Sequence, residues 1–208
     1  MTPKFQHVIT NKDELRAVLG TPARLTVAKT LHALDGHSRD FIARSPFLVI
    51  ASGDGRGHMD VSAKGDPGGF VEVLNDTTLA IPDRPGNRRA DTFLNVLNNP
   101  AVGLLFLVPG KSETLRVNGH AQIVHDSWLL EQMAERGKTP ALVLVVHIEE
   151  VFFHCAKCVL RSGLWESETW PSLDGLASLA RVLADQTGLS SEAEVDRAVE
   201  ESYRARLY

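Results

Sequence analysis

Three arginines, Arg84, Arg88 and Arg89, crowd the stretch IPDRPGNRRADTFLNVLNNP at residues 81–100, around a Pro85-Gly86 turn and just ahead of an apolar-patterned segment. Two readings of that charge are open. Arg88 and Arg89 stand before a helix that Asp91 or Thr92 would cap, so guanidinium donors and the free N–H groups of a first helical turn can face one point. A phosphate suits that arrangement, because the guanidinium fork matches its oxygens two at a time. The plainer reading is a solvated turn whose arginines face water and contribute little.

A second group lies in DVSAKGDPGG, residues 60–69. A strand carrying Ser62 and Lys64 that opens into a glycine-rich loop offers a hydroxyl, an ammonium and approachable backbone to a polar ligand. The same composition occurs in ordinary hairpin turns, and neither the P-loop nor the dinucleotide-binding glycine spacing is present. Cys155 and Cys158 in HCAKC, with His154, supply at most three ligands where a structural zinc site closes with four, so no metal is expected. A redox dithiol would lack its usual βαβ surroundings, and two partly buried thiols are expected instead. His58, His120, His125 and His147 form no catalytic spacing and receive no role. Trp165 and Trp170, with Arg161, follow the last strand, where they would cover a planar ligand or pack a chain end or subunit interface.

The elements that must position these residues fall into three parts. Residues 1–45 read as helical: Asn11 and Glu14 fit a cap with Gly20 as the stop, Thr21-Pro22 opens a second helix running to Asp35-Gly36, and a third covers about Ser38 to Arg44. These helices are expected to pack on the outside of the β-rich part. Residues 46–170 change to short β-rich runs between glycine turns, FLVIAS and HMDVSA, FVEVL and TTLAI, AVGLLFLV, Glu113 to about His125, and ALVLVVHIEEVFFHC. Helices over Asp91–Asn98 and Asp126–Arg136 interrupt them. About six strands in antiparallel succession suggest a small closed or partly split barrel. Residues 171–208 return to helix, with a Ser191/Glu194 capping box.

The chain has 208 residues, 43% hydrophobic and 23% charged, a globular composition consistent with a single domain carrying helical extensions. A net charge of -4 argues against general nucleic-acid binding, so any anion site must be local. No apolar run approaches the ~20 residues of a membrane span, and the N-terminus has no apolar signal core. Two cysteines are too few for a secreted disulfide framework. A cytoplasmic protein is the expectation.

Taken in order, the segment from SPFLVIASGDGRGHMDVSAKGDPGG through IPDRPGNRR to ETLRVNG resembles the FMN-binding split-barrel proteins related to pyridoxamine 5'-phosphate oxidase. More narrowly, it resembles a bacterial subgroup that carries IPDRPGNRR, ETLRVNG and a late HCAK...RS.LW. The likeness runs from about Thr26 to Trp165. It implies a mainly β fold with flanking helices, a six-stranded antiparallel split β-barrel that forms a homodimer and holds FMN at the subunit interface. By motif, it places Asp60, Ser62, Ala63 and Lys64 near the flavin ring and ribityl chain, and Ile81 and Pro82 along the ring. Asn87, Arg88 and Arg89 stand at the 5'-phosphate. Thr114 replaces a glutamine of the oxidase, and Arg161 and Trp165 match its late arginine and tryptophan more loosely. Met59 stands where the oxidase has an arginine, which shifts phosphate binding onto Arg88 and Arg89. The oxidase's late substrate-gripping segment is not recognisable, so pyridoxamine phosphate is not the implied substrate.

The expected function is that of an FMN-dependent oxidoreductase on a small organic molecule, with no nucleic-acid or membrane partner. A non-catalytic flavin-binding or flavin-sensing module, and the same barrel using F420 or haem, are the alternatives.

Overall fold

The computed structural model describes residues 3–208. Seven strands form one antiparallel sheet: β1 (Phe47–Gly53), β2 (Met59–Gly65), β3 (Glu72–Asn75), β4 (Thr78–Pro82), β5 (Ala101–Leu107), β6 (Thr114–Val124) and β7 (Val143–His154), in the order β2-β1-β5-β6-β7-β4-β3. Every pairing is antiparallel, as expected for a chain that alternates apolar and polar residues between glycine turns. One face gathers Leu48, Ile50, Leu104, Phe106, Leu115, Val117, Leu144 and Val146 into a single core. Helices α3 (Gly36–Ile42) and α4 (Asp91–Asn98) add Phe41, Ile42 and Val96 to it. On the opposite face, Ala80, Val143 and Val145 pack against Leu129 and Met133, from α5 (Ser127–Gln132) and its C-terminal end, which is why β4 is buried on both sides.

The mainly β, antiparallel fold with flanking helices is as expected, but the closed form of the expected six-stranded, closed or partly split barrel is not what the hydrogen bonds make. The ladder counts seven strands and stays open, with β2 and β3 as unpaired edges. The reason lies in the connection between them. Asp66 N–H donates to the Pro46 carbonyl and Gly69 N–H to that of Ser45, so the loop is pinned back on the start of β1 before β3 begins. Gly69 has φ +86°, and a Cβ there would stand 3.0 Å from the Ala43 carbonyl oxygen.

The longest ladder, β6 with β7, contains a register shift between Asn118 and Gly119. A Cβ on Gly119 would lie 2.0 Å from the His147 carbonyl oxygen, so only glycine fits the bulge.

Around the sheet, α1 (Lys12–Leu19) starts at the Asn11 cap and stops at Gly20, as the sequence implies. The second helix does not continue to Asp35. Helix α2 (Arg24–Ala28) is short, because Leu31 exchanges backbone hydrogen bonds with Val151 and must be extended there. Neither α1 nor α2 buries a residue, so this arm does not pack its apolar side chains on its own core. Helix α5 likewise ends early, at a tight Glu135–Lys138 bridge around Arg136 and Gly137, both at positive φ. After α6 (Lys157–Ser162), the chain ends in α7 (Leu179–Thr187) and α8 (Glu192–Ala205), the latter begun by the expected Ser191/Glu194 box. Cys155 and Cys158 are free and exposed rather than partly buried, since Cys155 follows the end of β7 and Cys158 sits on α6, outside both cores. No helix among the described residues is long and apolar enough to cross a membrane.

Candidate functional site

The alternation of β2 turns Asp60, Ser62 and Lys64 toward α4. Asn95 Nδ2, buried on α4, donates to Asp60 Oδ2 at 2.8 Å and to Ser52 Oγ at 3.1 Å. Thr92 Oγ1 lies 3.3 Å from Ser62 Oγ, and Lys64 Nζ reaches Asp83 Oδ1 at 3.1 Å while standing 5.4 Å from the Phe93 ring centroid. Strand and helix are thereby fixed to each other by polar contacts along one seam.

Strand β4 ends at Pro82 and the chain enters the arginine loop. Asp83 N–H donates to the Leu142 carbonyl, and Asn87 Oδ1 accepts from Arg89 N–H at 3.0 Å. Arg88 and Ala90 then adopt φ +61° and +60°, a left-handed conformation that costs a residue with a Cβ roughly 1–2 kcal/mol. Such strain persists where surroundings enforce it, often at ligand sites. The expected side-chain cap on α4 is absent. Ala90 occupies the N-cap position without a side-chain hydrogen bond, because Asp91 turns to Arg89 Nε at 2.9 Å and Thr92 to Ser62. Among the described residues, the N–H groups of Asp91, Thr92 and Phe93 have no protein acceptor, which leaves an open positive helix end.

A cavity of about 1290 Å³ joins these parts, above the ~300–1,000 Å³ of most small-molecule sites. Ser62, Ala63 and Lys64 line it from β2, Pro82 through Phe93 from the loop and α4, and Lys138 through Leu142 from the turn before β7. Ser202, Arg206 and Tyr208 close it from the chain's far end. Its cations are mostly matched, Lys64 by Asp83, Arg84 by Asp66 and Arg89 by Asp91. Arg88 has no ion pair or side-chain hydrogen bond among the described residues, so the loop presents surplus positive charge beside the open helix end. Asp91 raises the pKa of Arg89 further still, through a hydrogen bond and then through charge, so that guanidinium stays cationic throughout the working pH range. Because the exposed Arg89–Asp91 pair is screened by solvent and contributes little, an arriving anion can compete for it.

Of the twelve residues that the resemblance assigns to the cofactor, seven therefore line one cavity: Ser62, Ala63, Lys64, Pro82, Asn87, Arg88 and Arg89. The other five do not line it within one chain. Asp60 holds Asn95 behind the β2–α4 seam, and Ile81 is fully buried in the core. Thr114 pairs with His154 at the start of β6, Arg161 lies on exposed α6, and Trp165 Nε1 donates to the Lys111 carbonyl at 2.9 Å. Sequence reasoning missed Asp66, Asp83 and Phe93 as neighbours of the arginines and lysine, and missed the C-terminal wall altogether. Asp66 and Asp83 stand inside the quoted motifs, so opposite charge was a usable signal for them. Nothing in the sequence pairs Tyr208 with position 66.

A family model described as pyridoxamine 5'-phosphate oxidase matches residues 34–155. Among solved structures, the chain is similar to the HupZ protein of Group A Streptococcus, with a TM-score of 0.47 and 18% identity over 58% of this chain and 93% of that one. It is also similar to an FMN-binding protein from Syntrophomonas wolfei, with a TM-score of 0.46 and 13% identity over 69% and 93% of the two chains. An FAD binding protein from Mycobacterium smegmatis gives 0.43 and 14% over 60% and 97%. No curated protein sequence matches this chain.

Proposed function

The chain belongs to the pyridoxamine 5'-phosphate oxidase family, and on that premise we propose that it binds FMN in the β2–α4 cavity and acts as an FMN-dependent oxidoreductase on a small organic molecule. The observation that carries the reading is the arginine loop. Arg88 has no anionic partner among the described residues, its backbone is held left-handed, and it stands beside a helix end whose N–H groups are free. Asn87, Arg88, Arg89 and the first turn of α4 are the residues that would hold the 5'-phosphate.

The rest of the lining suits the remainder of such a ligand. Ser62 and Ala63 on β2 and Pro82 at the end of β4 offer a hydroxyl and flat apolar surface to a ribityl chain and ring. Lys64, tied to Asp83 and largely shielded from water, is placed to stabilise negative charge on the ring side. Flavin, when bound, supplies the hydride or electron transfer, while the chain's own residues bind, orient and exclude water. No classical acid–base residue is required of them.

Homodimerisation belongs to the same proposal. The outer face of β1 and β2 exposes Phe47, Met59 and Val61 to solvent, an apolar strip on the face away from the core. A second copy would cover it, and the family resemblance puts Thr114, Arg161 and Trp165 of one chain near the cavity of the other.

The test is to purify the protein, denature it and identify what is released. FMN at about one molecule per chain is expected, with Lys64→Ala altering affinity or reduction potential. Release of F420 or haem, or a protein that takes up no FMN from solution, would overturn the reading. NAD(P)H oxidation with candidate acceptors then separates an enzyme from a flavin-binding module.

A further inference from the structure

The tail after α8 returns to the cavity and is fastened there by three different interactions. Tyr208 Oη donates to Asp66 Oδ1 at 2.8 Å. The Tyr208 ring lies under Arg136, whose guanidinium carbon is 4.5 Å from the ring centroid, and the Tyr208 backbone oxygen accepts from Lys138 Nζ at 2.8 Å. Asp66 is the pivot. Its side chain is 2% exposed and its other oxygen accepts from Arg84 Nε, which opens the arginine loop. One buried carboxylate thus joins the last residue of the chain to the loop that carries Arg88 and Arg89.

We propose that Tyr208 is a positioning residue for the cofactor: through Asp66 it holds Arg84, and with it loop 83–90, in the conformation that receives a phosphate, while the tail walls off that side of the cavity. The inference rests on the FMN reading for its ligand but not for its geometry.

A buried carboxylate needs its donors, and Asp66 has two, from segments far apart in the chain. Removing the phenol hydroxyl leaves Oδ1 without its charge-assisted donor, and the carboxylate then re-forms its contacts with Arg84 or with water. Either shift moves the root of a loop that already holds two left-handed residues without glycine. The pull of Asp66 also raises the Tyr208 pKa above that of a free phenol, so the donor stays protonated at neutral pH. In the proposed pose, Asn87, Arg88 and Arg89 of this loop meet the phosphate end of the ligand, while Asp83 at its start keeps its own tie to Lys64.

The discriminating pair of ligands is therefore FMN and riboflavin, which share the ring and differ in the phosphate. Tyr208→Phe should weaken FMN binding about tenfold, the effect of one charge-assisted hydrogen bond, and leave riboflavin affinity unchanged. Equal weakening of both, or of neither, would overturn the assignment. Hydrogen exchange in flavin-free protein gives a readout that does not depend on the cofactor. Amides of loop 83–90 should exchange faster in Tyr208→Phe, with circular dichroism and melting temperature close to wild type. They should exchange faster again in Asp66→Asn, where loss of the buried pair with Arg84 also lowers the melting temperature. Unchanged loop exchange in Tyr208→Phe would sink the brace even if flavin binds. A wild-type protein that binds no flavin, but whose loop loosens in Tyr208→Phe, would defeat the cofactor reading and leave the brace standing.

Discussion

Loop 83–90 and the β6–β7 ladder lie at opposite ends of the range of ways a chain can be held. The ladder pairs eleven positions of β6 with β7 and buries Leu115, Val117, Val146 and Val151 completely on one face. The loop has little apolar packing, is held by Asp66, Asp83, Asp91 and Leu142, and carries two left-handed residues that are not glycine. In the ladder the backbone exception falls on a glycine that nothing else could replace, whereas in the loop the exceptions fall on Arg88 and Ala90. Structure that serves the fold has the residue its geometry prefers. If the loop serves a ligand, as proposed, its conformation is kept in spite of that preference.

Exchanging a single methyl group in each region should expose the contrast. Gly119→Ala places a Cβ 2.0 Å from the His147 carbonyl oxygen, where its near neighbours are all β7 backbone atoms with no flexible side chain to yield. Urea unfolding should show a loss of roughly 3 kcal/mol or more; an unchanged midpoint would mean that the bulge is elsewhere. The next largest effect belongs to the tail, whose Tyr208→Phe variant should loosen only the loop. Smaller again, Ala90→Gly removes a Cβ from a φ of +60° and should stabilise the fold by at most about 1 kcal/mol, strain relief being offset by glycine's extra chain entropy. A marked destabilisation by Ala90→Gly would show that the loop packs as the ladder does.

The smallest effect lies outside both regions, in the exposed turn between β1 and β2, where His58 Nδ1 is 2.7 Å from Asp54 Oδ2. The hydrogen bond to His58 leads the causes that lower Asp54 to about 2, and the same bond raises His58 above its usual value. The histidine's contribution to stability is complete below its unfolded pKa and disappears as pH rises through the folded one. The aspartate's is present above its unfolded pKa and is lost as pH falls toward about 2. Titration of His58 by NMR should give a raised pKa that returns to normal in Asp54→Asn, with little change in melting temperature. A His58 value unaffected by that substitution would remove the pair.

The sheet was legible because alternation and glycine turns are local signals, and the strands from FLVIAS to ALVLVVHIEEVFFHC fall where those signals put them. The overlong second helix shows the limit. Leu25, Leu31 and Leu34 keep helical spacing, but Leu31 is extended by its bridge to Val151, a partner no local pattern announces. The edges stayed unpaired for a similar reason, since the pinning of Asp66 and Gly69 on the start of β1 is a tertiary contact. In the site, the arginine motif and the Ser62–Lys64 strand were legible as chemistry. Their salt-bridge partners were visible only as nearby letters, and the cap at Asp91 or Thr92 failed because both side chains are used elsewhere. The contact between Tyr208 and Asp66 spans the chain and left no trace in either segment.

Whether loop 83–90 is kept for a phosphate can be decided by titrating FMN and riboflavin into wild type and into the double variant Arg88→Glu/Arg89→Glu. With two charge-assisted contacts at stake, FMN affinity should fall by at least about a hundredfold, while riboflavin affinity and melting temperature stay near wild type. A folded double variant that retains native FMN affinity would show that these arginines do not hold the phosphate.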